Sequence, residues 1–79
     1  MSNLEKYNKV FMETLSLQQK DLNDGLLYQS IAEWDSVGHM NLVAALEDAF
    51  DIMLDTDDII DLSSYGIGKE ILSKYDITF

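Results

Sequence analysis

The stretch from Ser36 to Phe50 constrains the fold most. At 100° per residue, Leu42, Val43, Leu46, Ala49 and Phe50 fall on one apolar face of a helix. Asp35 stands just before it, where a carboxylate can accept from the free amides of the first turn. Ser36 could itself be the cap, a common role for serine. The opposite face carries Val37, Met40, Asn41, Ala44, Glu47, Asp48 and Asp51. A face meant only for solvent has no need of Val37 and Met40, so it reads as a docking surface, although two exposed apolar residues are common on any protein.

The rest of the chain supports helices joined by loops. It has 79 residues, no proline, no cysteine and four glycines. A single domain with a modest core follows from the length. No disulfide and no thiolate nucleophile is available. A first helix is expected over 3–15, with Leu4, Tyr7, Phe11, Thr14 and Leu15 on one stripe and Glu5 paired to Lys9. The pattern loosens from Ser16 to Trp34, where a long loop is expected to pack its apolar residues onto the bundle. A short third helix over 57–61 takes Asp55 or Thr56 as its cap. A fourth over 64–74 takes Ser63 or Ser64, with Ile67, Ile71 and Leu72 inward and Gly66 and Gly68 loosening its start. The fold class is therefore an all-α, small four-helix bundle with a long loop between helices I and II and a short helix III.

Charge narrows the partners. Fifteen acids face five lysines, for a net charge of −10. Every lysine lies outside the interval from Asp21 to Gly68. Phosphate backbones need cations opposite them, so nucleic acid is excluded as an expected partner. A basic protein surface is the complementary one, although acidity also serves solubility alone. No run approaches the roughly 18 apolar residues of a membrane span. The first residues have no signal pattern, so a cytoplasmic monomer is expected.

Few enzymatic groups are present. His39 is the single histidine and there is no arginine. We expect His39 to be packed or to contact a loop rather than to activate Ser36. The segment Asp21-Leu22-Asn23-Asp24-Gly25 fails as an EF-hand loop. Counted from Asp21, the glycine position holds Leu26 and the twelfth position holds Ala32. Loose divalent binding among Glu47, Asp48, Asp51, Asp55, Asp57 and Asp58 remains an alternative. A phosphate ester on Ser36 would gain from the helix N-terminus, and Gly38 reads as leaving room for its approach.

The run Trp34-Asp35-Ser36-Val37-Gly38-His39-Met40, continuing through Asn41-Leu42-Val43-Ala44-Ala45-Leu46-Glu47-Asp48-Ala49-Phe50-Asp51-Ile52, resembles the acyl carrier protein family, which includes aminoacyl and peptidyl carriers. Its hallmark is Asp-Ser-Leu at the start of helix II. Asp35 and Ser36 match, and Val37 stands where leucine is usual. The resemblance spans nearly the whole chain, residues 1–79 as one carrier domain, but its specific part is 34–52.

The resemblance implies that a phosphopantetheinyl transferase attaches 4′-phosphopantetheine from coenzyme A to Ser36, using magnesium, with Asp35 helping to place metal and serine. No specific metal site of the chain's own is implied. The arm supplies a thiol that carries acyl cargo as a thioester, and the bundle can shelter the acyl chain between its helices. Val37, Met40, Asn41, Ala44, Glu47 and Asp48 fall where the family meets its partners, acyl-loading and acyl-using enzymes with basic docking patches. The chain is then a carrier and not an enzyme. Trp34 with Gly38-His39-Met40 departs from the main fatty-acid carrier and suggests a specialised pathway. An aminoacyl or peptidyl carrier, and an acidic adaptor or divalent-cation-binding module without a prosthetic group, are the alternatives.

Overall fold

A computed structural model describes residues 2–79 as four α-helices without a β-strand among them. They are α1 (Asn3–Leu15), α2 (Ser36–Phe50), α3 (Thr56–Asp61) and α4 (Tyr65–Ser73). The all-α, four-helix class expected from the sequence is the observed one.

Helix α1 begins with a reciprocal cap. The Glu5 amide donates to Ser2 Oγ at 3.1 Å, and the Ser2 amide donates to Glu5 Oε1 at 3.3 Å. The Ser2 amide first, and the Ser2 hydroxyl second, hold the Glu5 carboxyl below its usual value. The expected Glu5–Lys9 pair is therefore absent: Glu5 turns back to the cap, and Lys9 faces Glu13 at 3.9 Å instead. That pair is well exposed and contributes little. Tyr7, Phe11 and Leu15, spaced by four, are fully buried. Leu4, at the head of the stripe, remains exposed.

Helix α2 supplies the facing surface. Leu42, Val43 and Leu46 are buried, with Ala49 and Phe50 half-buried at the far end. The helix stops at Asp51, which adopts the left-handed conformation (φ 54°) and returns its amide to the Glu47 carbonyl.

Residues 16–35 form the long connection. A 3-10 turn at Gln19–Asp21 starts it, and an antiparallel bridge between Leu27 and Ser64 fastens its middle. There the Tyr28 amide donates to the Ser63 carbonyl at 2.8 Å, and the Tyr65 amide to the Leu26 carbonyl at 3.0 Å. Leu26 and Trp34 are buried, Trp34 completely. The Trp34 ring meets Phe11 edge-on, with centroids 5.6 Å apart. The loop packs its apolar residues as expected, except Leu27, which stays exposed.

Asp55 occupies the cap position of α3 without a side-chain bond to the helix; Asp57 and Asp58 lie in its first turn. Ser64 caps α4, its Oγ accepting from the Ile67 amide at 2.9 Å. Tyr65, Gly68, Ile71 and Leu72 form the buried face of α4. Ile67, expected inward, is on the exposed side because the face turns on Tyr65 and Gly68. Gly68 is no weak point: a β-carbon there would stand 2.1 Å from the Tyr7 hydroxyl, so α1 and α4 meet through the space that glycine leaves. The Tyr7 hydroxyl donates to the Tyr65 carbonyl at 2.6 Å, and the Tyr65 hydroxyl donates to Asn8 Oδ1. Burial, with the neighbouring Tyr65 second, holds the Tyr7 hydroxyl protonated far above its usual range.

Among the described residues no helix is long and apolar enough to cross a membrane.

Candidate functional site

Ser36 is the first residue of α2 and is exposed. Asp35 is the cap: its Oδ1 accepts from the Gly38 amide at 2.8 Å, and its carbonyl accepts from the His39 amide at 2.7 Å. The cap role therefore belongs to Asp35 and not to Ser36. Among the described residues the Ser36 hydroxyl makes no hydrogen bond, nor do the amides of Ser36 and Val37. A nucleophilic oxygen thus stands free beside two open N–H donors at the positive end of a helix with four turns. These features fit a phosphate ester at Ser36.

Gly38 has a different role from the one its sequence position suggests. A β-carbon there would lie 2.0 Å from the Glu33 carbonyl oxygen. The close approach is made by the chain's own loop, and Gly38 is buried beneath it. It does not open a path for a ligand. Instead it lets residues 33–35 fold tightly over the first turn of α2.

His39 is committed at both ring nitrogens. The indole N–H of Trp34 points to Nδ1 at 3.0 Å, and Nε2 lies 2.8 Å from the Ile59 carbonyl. An indole only donates and a carbonyl only accepts, so the ring is the neutral tautomer with its proton on Nε2. It lies nearly coplanar with the Trp34 ring, at 16°, joined edge to edge by that hydrogen bond, and meets Tyr28 edge-on. A ring held this way has no lone pair left to activate Ser36. His39 is the packed, loop-contacting residue the sequence suggested.

The predicted docking residues line up unevenly. Val37 is 69% exposed and Met40 55% exposed. Asn41, Ala44 and Asp48 are exposed as well. Glu47 is half-buried, because Oε2 accepts from the Leu54 amide at 2.9 Å and so closes the turn after α2. Ile60 of α3 joins the apolar group at 71% exposure. Met40 and Ile60 line one groove of about 320 Å³ between α2 and α3, with Tyr28, His39, Ile59 and Leu62. Ile59 and Ile60 are adjacent apolar residues of α3. Only the packing separates Ile59, turned inward, from Ile60, turned out.

The acids are partly engaged by the chain itself. Asp58 accepts from Lys74 Nζ through Oδ1 and from the Tyr75 hydroxyl through Oδ2, the latter at 2.6 Å. The Tyr75 hydroxyl also accepts from the Asp55 amide at 2.9 Å, so α3 is tied to the end of α4. The bonds from Lys74 and then Tyr75 hold the Asp58 carboxyl below its usual value. Among the described residues no three histidine or carboxylate side chains converge as a metal site.

Fold and site together define a small, acidic four-helix protein that presents a free serine hydroxyl at a helix start. Comparison with protein-family models, with curated proteins and with solved structures finds no match to the chain.

Proposed function

We propose that the chain is a carrier protein, and that Ser36 holds a 4′-phosphopantetheine arm on which acyl groups travel as thioesters. The observation that carries this reading is the free, exposed Ser36 hydroxyl directly after the Asp35 cap. In the transfer, Ser36 Oγ forms a bond to the phosphorus that bears the pantetheine. The pyrophosphate bond of coenzyme A breaks, the adenosine bisphosphate leaves, and the hydroxyl proton goes to a base of the transferase. Bound, the arm supplies a thiol, which this cysteine-free chain lacks. Ser36 anchors it, the open amides of Ser36 and Val37 favour its phosphate, and Asp35 keeps the turn in shape.

The partners are enzymes that meet an acidic body with a basic patch. The net charge of −10 and the exposed Asp48 beside Val37 and Met40 support that choice. Chemistry on the cargo belongs to those enzymes.

Incubation with a phosphopantetheinyl transferase, magnesium and coenzyme A, followed by intact mass measurement, tests the reading. One phosphopantetheine should be gained by the protein and none by the Ser36→Ala variant. An unmodified wild-type chain beside a control carrier that is modified would overturn it in favour of an acidic adaptor. The mass of the group borne by protein from its native cell separates an acyl carrier from an aminoacyl or peptidyl one.

A further inference from the structure

His39 joins three parts of the molecule. It belongs to the first turns of α2, its Nδ1 accepts from Trp34 in the loop that enters Ser36, and its Nε2–H donates to Ile59 of α3. Helix α3 is only Thr56–Asp61, too short to hold its own shape, so its position is set by what grips it. It is gripped from two directions, the end of α4 and α2, and the Asp55 amide adds a bond to Tyr75 on the α4 side. Asp58 fastens it to Lys74 and Tyr75, and His39 fastens it to α2. The second grip decides where Ile60 stands. Val37 and Met40 share one face of α2 at a spacing of three, and Met40 and Ile60 line the same groove. The apolar face formed by these three residues therefore exists only while α3 is held beside α2.

We propose that His39 is a positioning residue: through its bond to the Ile59 carbonyl it assembles Val37, Met40 and Ile60 into one docking face for a partner enzyme. The occupant is an enzyme surface with an apolar contact rimmed by cations. Charge argues for it, since exposed Asp48 lies on α2 and exposed Asp57 and Asp61 lie on α3. The inference rests on the carrier reading for the choice of partner, and the contact that assembles the face is measured apart from it.

Two substitutions divide the histidine in half. The side-chain amide of Asn lies where Nδ1 does, so His39→Asn keeps an acceptor for Trp34 but does not reach Ile59. The longer Gln places its amide near Nε2, so His39→Gln keeps the donor to Ile59 and gives up the bond from Trp34. In transferase assays with the carrier as varied substrate, His39→Asn should raise KM by about fivefold or more, with kcat within about twofold of wild type. His39→Gln should leave KM within about twofold. A role in general stability would follow the bond to the buried indole and rank the variants the other way.

Amide hydrogen exchange at Ile59 and Leu62 reads the clamp without any partner. Both amides close α3, donating to the carbonyls of Asp55 and Asp58. Their exchange should quicken in His39→Asn and stay near wild type in His39→Gln. If wild type takes no arm while exchange behaves as expected, the carrier reading fails and the clamp stands. An unchanged KM in His39→Asn, or a loss in kcat alone, overturns the docking role. Equal exchange in both variants overturns the clamp; should His39→Asn not fold, faster exchange in His39→Gln than in wild type does the same.

Discussion

The Glu33 carbonyl oxygen lies where a β-carbon on Gly38 would have to be, 2.0 Å from its ideal position. The loop before Ser36 and the first turn of α2 are in contact through that missing atom. The geometry of the serine turn therefore depends on a residue that carries no chemistry.

Gly38→Ala measures this contact. Alanine favours a helix interior over glycine by about 1 kcal/mol, which argues for stabilisation. Here the obstacle is backbone rather than the tip of a flexible side chain, so the loop must move. We expect a net loss of about 1–3 kcal/mol in urea unfolding, with the slope unchanged. A variant as stable as wild type would show that the loop yields freely.

Gly68 and Tyr7 form the matching contact between α4 and α1. Gly68→Ala should cost about 1–3 kcal/mol, because the new methyl meets the Tyr7 hydroxyl. Tyr7→Phe removes that hydroxyl together with its bond to the Tyr65 carbonyl, for a loss of about 1 kcal/mol. The double variant should be more stable than the sum of the two losses by about 1 kcal/mol, since the phenyl ring frees space for the methyl. Strict additivity in the cycle would contradict the packing described.

The tie between Asp58 and Lys74 gives a pH dependence of known sign. Asp58 is held below its usual value of 3.8 by Lys74 first and Tyr75 second. Its contribution is complete above 3.8 and disappears as pH falls through the lowered folded value. Lys74 is raised above 10.5, mainly by its bond to Asp58, so the same contact is lost again as pH rises through that raised value. Thermal unfolding of Asp58→Asn should lie below wild type at neutral pH, and the gap should close well below pH 3.8. A gap that persists unchanged into acid would rule out this ion pair as the cause.

Charge reversal on the α2 face tests docking without disturbing the fold, if the position is chosen from the structure. Glu47 is unsuitable because its carboxylate holds the Leu54 amide. Asp48 is exposed and has no such bond. Asp48→Lys should slow association with a basic partner enzyme severalfold at low salt and much less at high salt. Association rates indifferent to both the substitution and the salt would remove the acidic face from the recognition step.

The helices were legible in the sequence because their determinants are local. The apolar spacing in 36–50, the Asp35 cap and the serine ahead of Tyr65 act within a few residues, and they place α2 and α4 with no knowledge of what they pack against. Whether Asp35 or Ser36 caps α2 stayed open in the sequence, and the structure gives the cap to Asp35 and leaves the Ser36 hydroxyl free. The lack of proline favoured helices joined by loops, and the lack of cysteine excluded disulfides.

What tertiary structure alone decided are contacts between segments distant in sequence. No local pattern says that His39 reaches Ile59, that Lys74 and Tyr75 take Asp58 out of the acidic surface, or that Ile60 faces out beside Met40. Gly38, read as an opening, and Gly68, read as a local weakness, are places where another segment comes too close for a side chain. Caps and periodicity depend on neighbours along the chain. A clamp or a close approach depends on how several elements share one small volume, and that is fixed only when all of them are packed together.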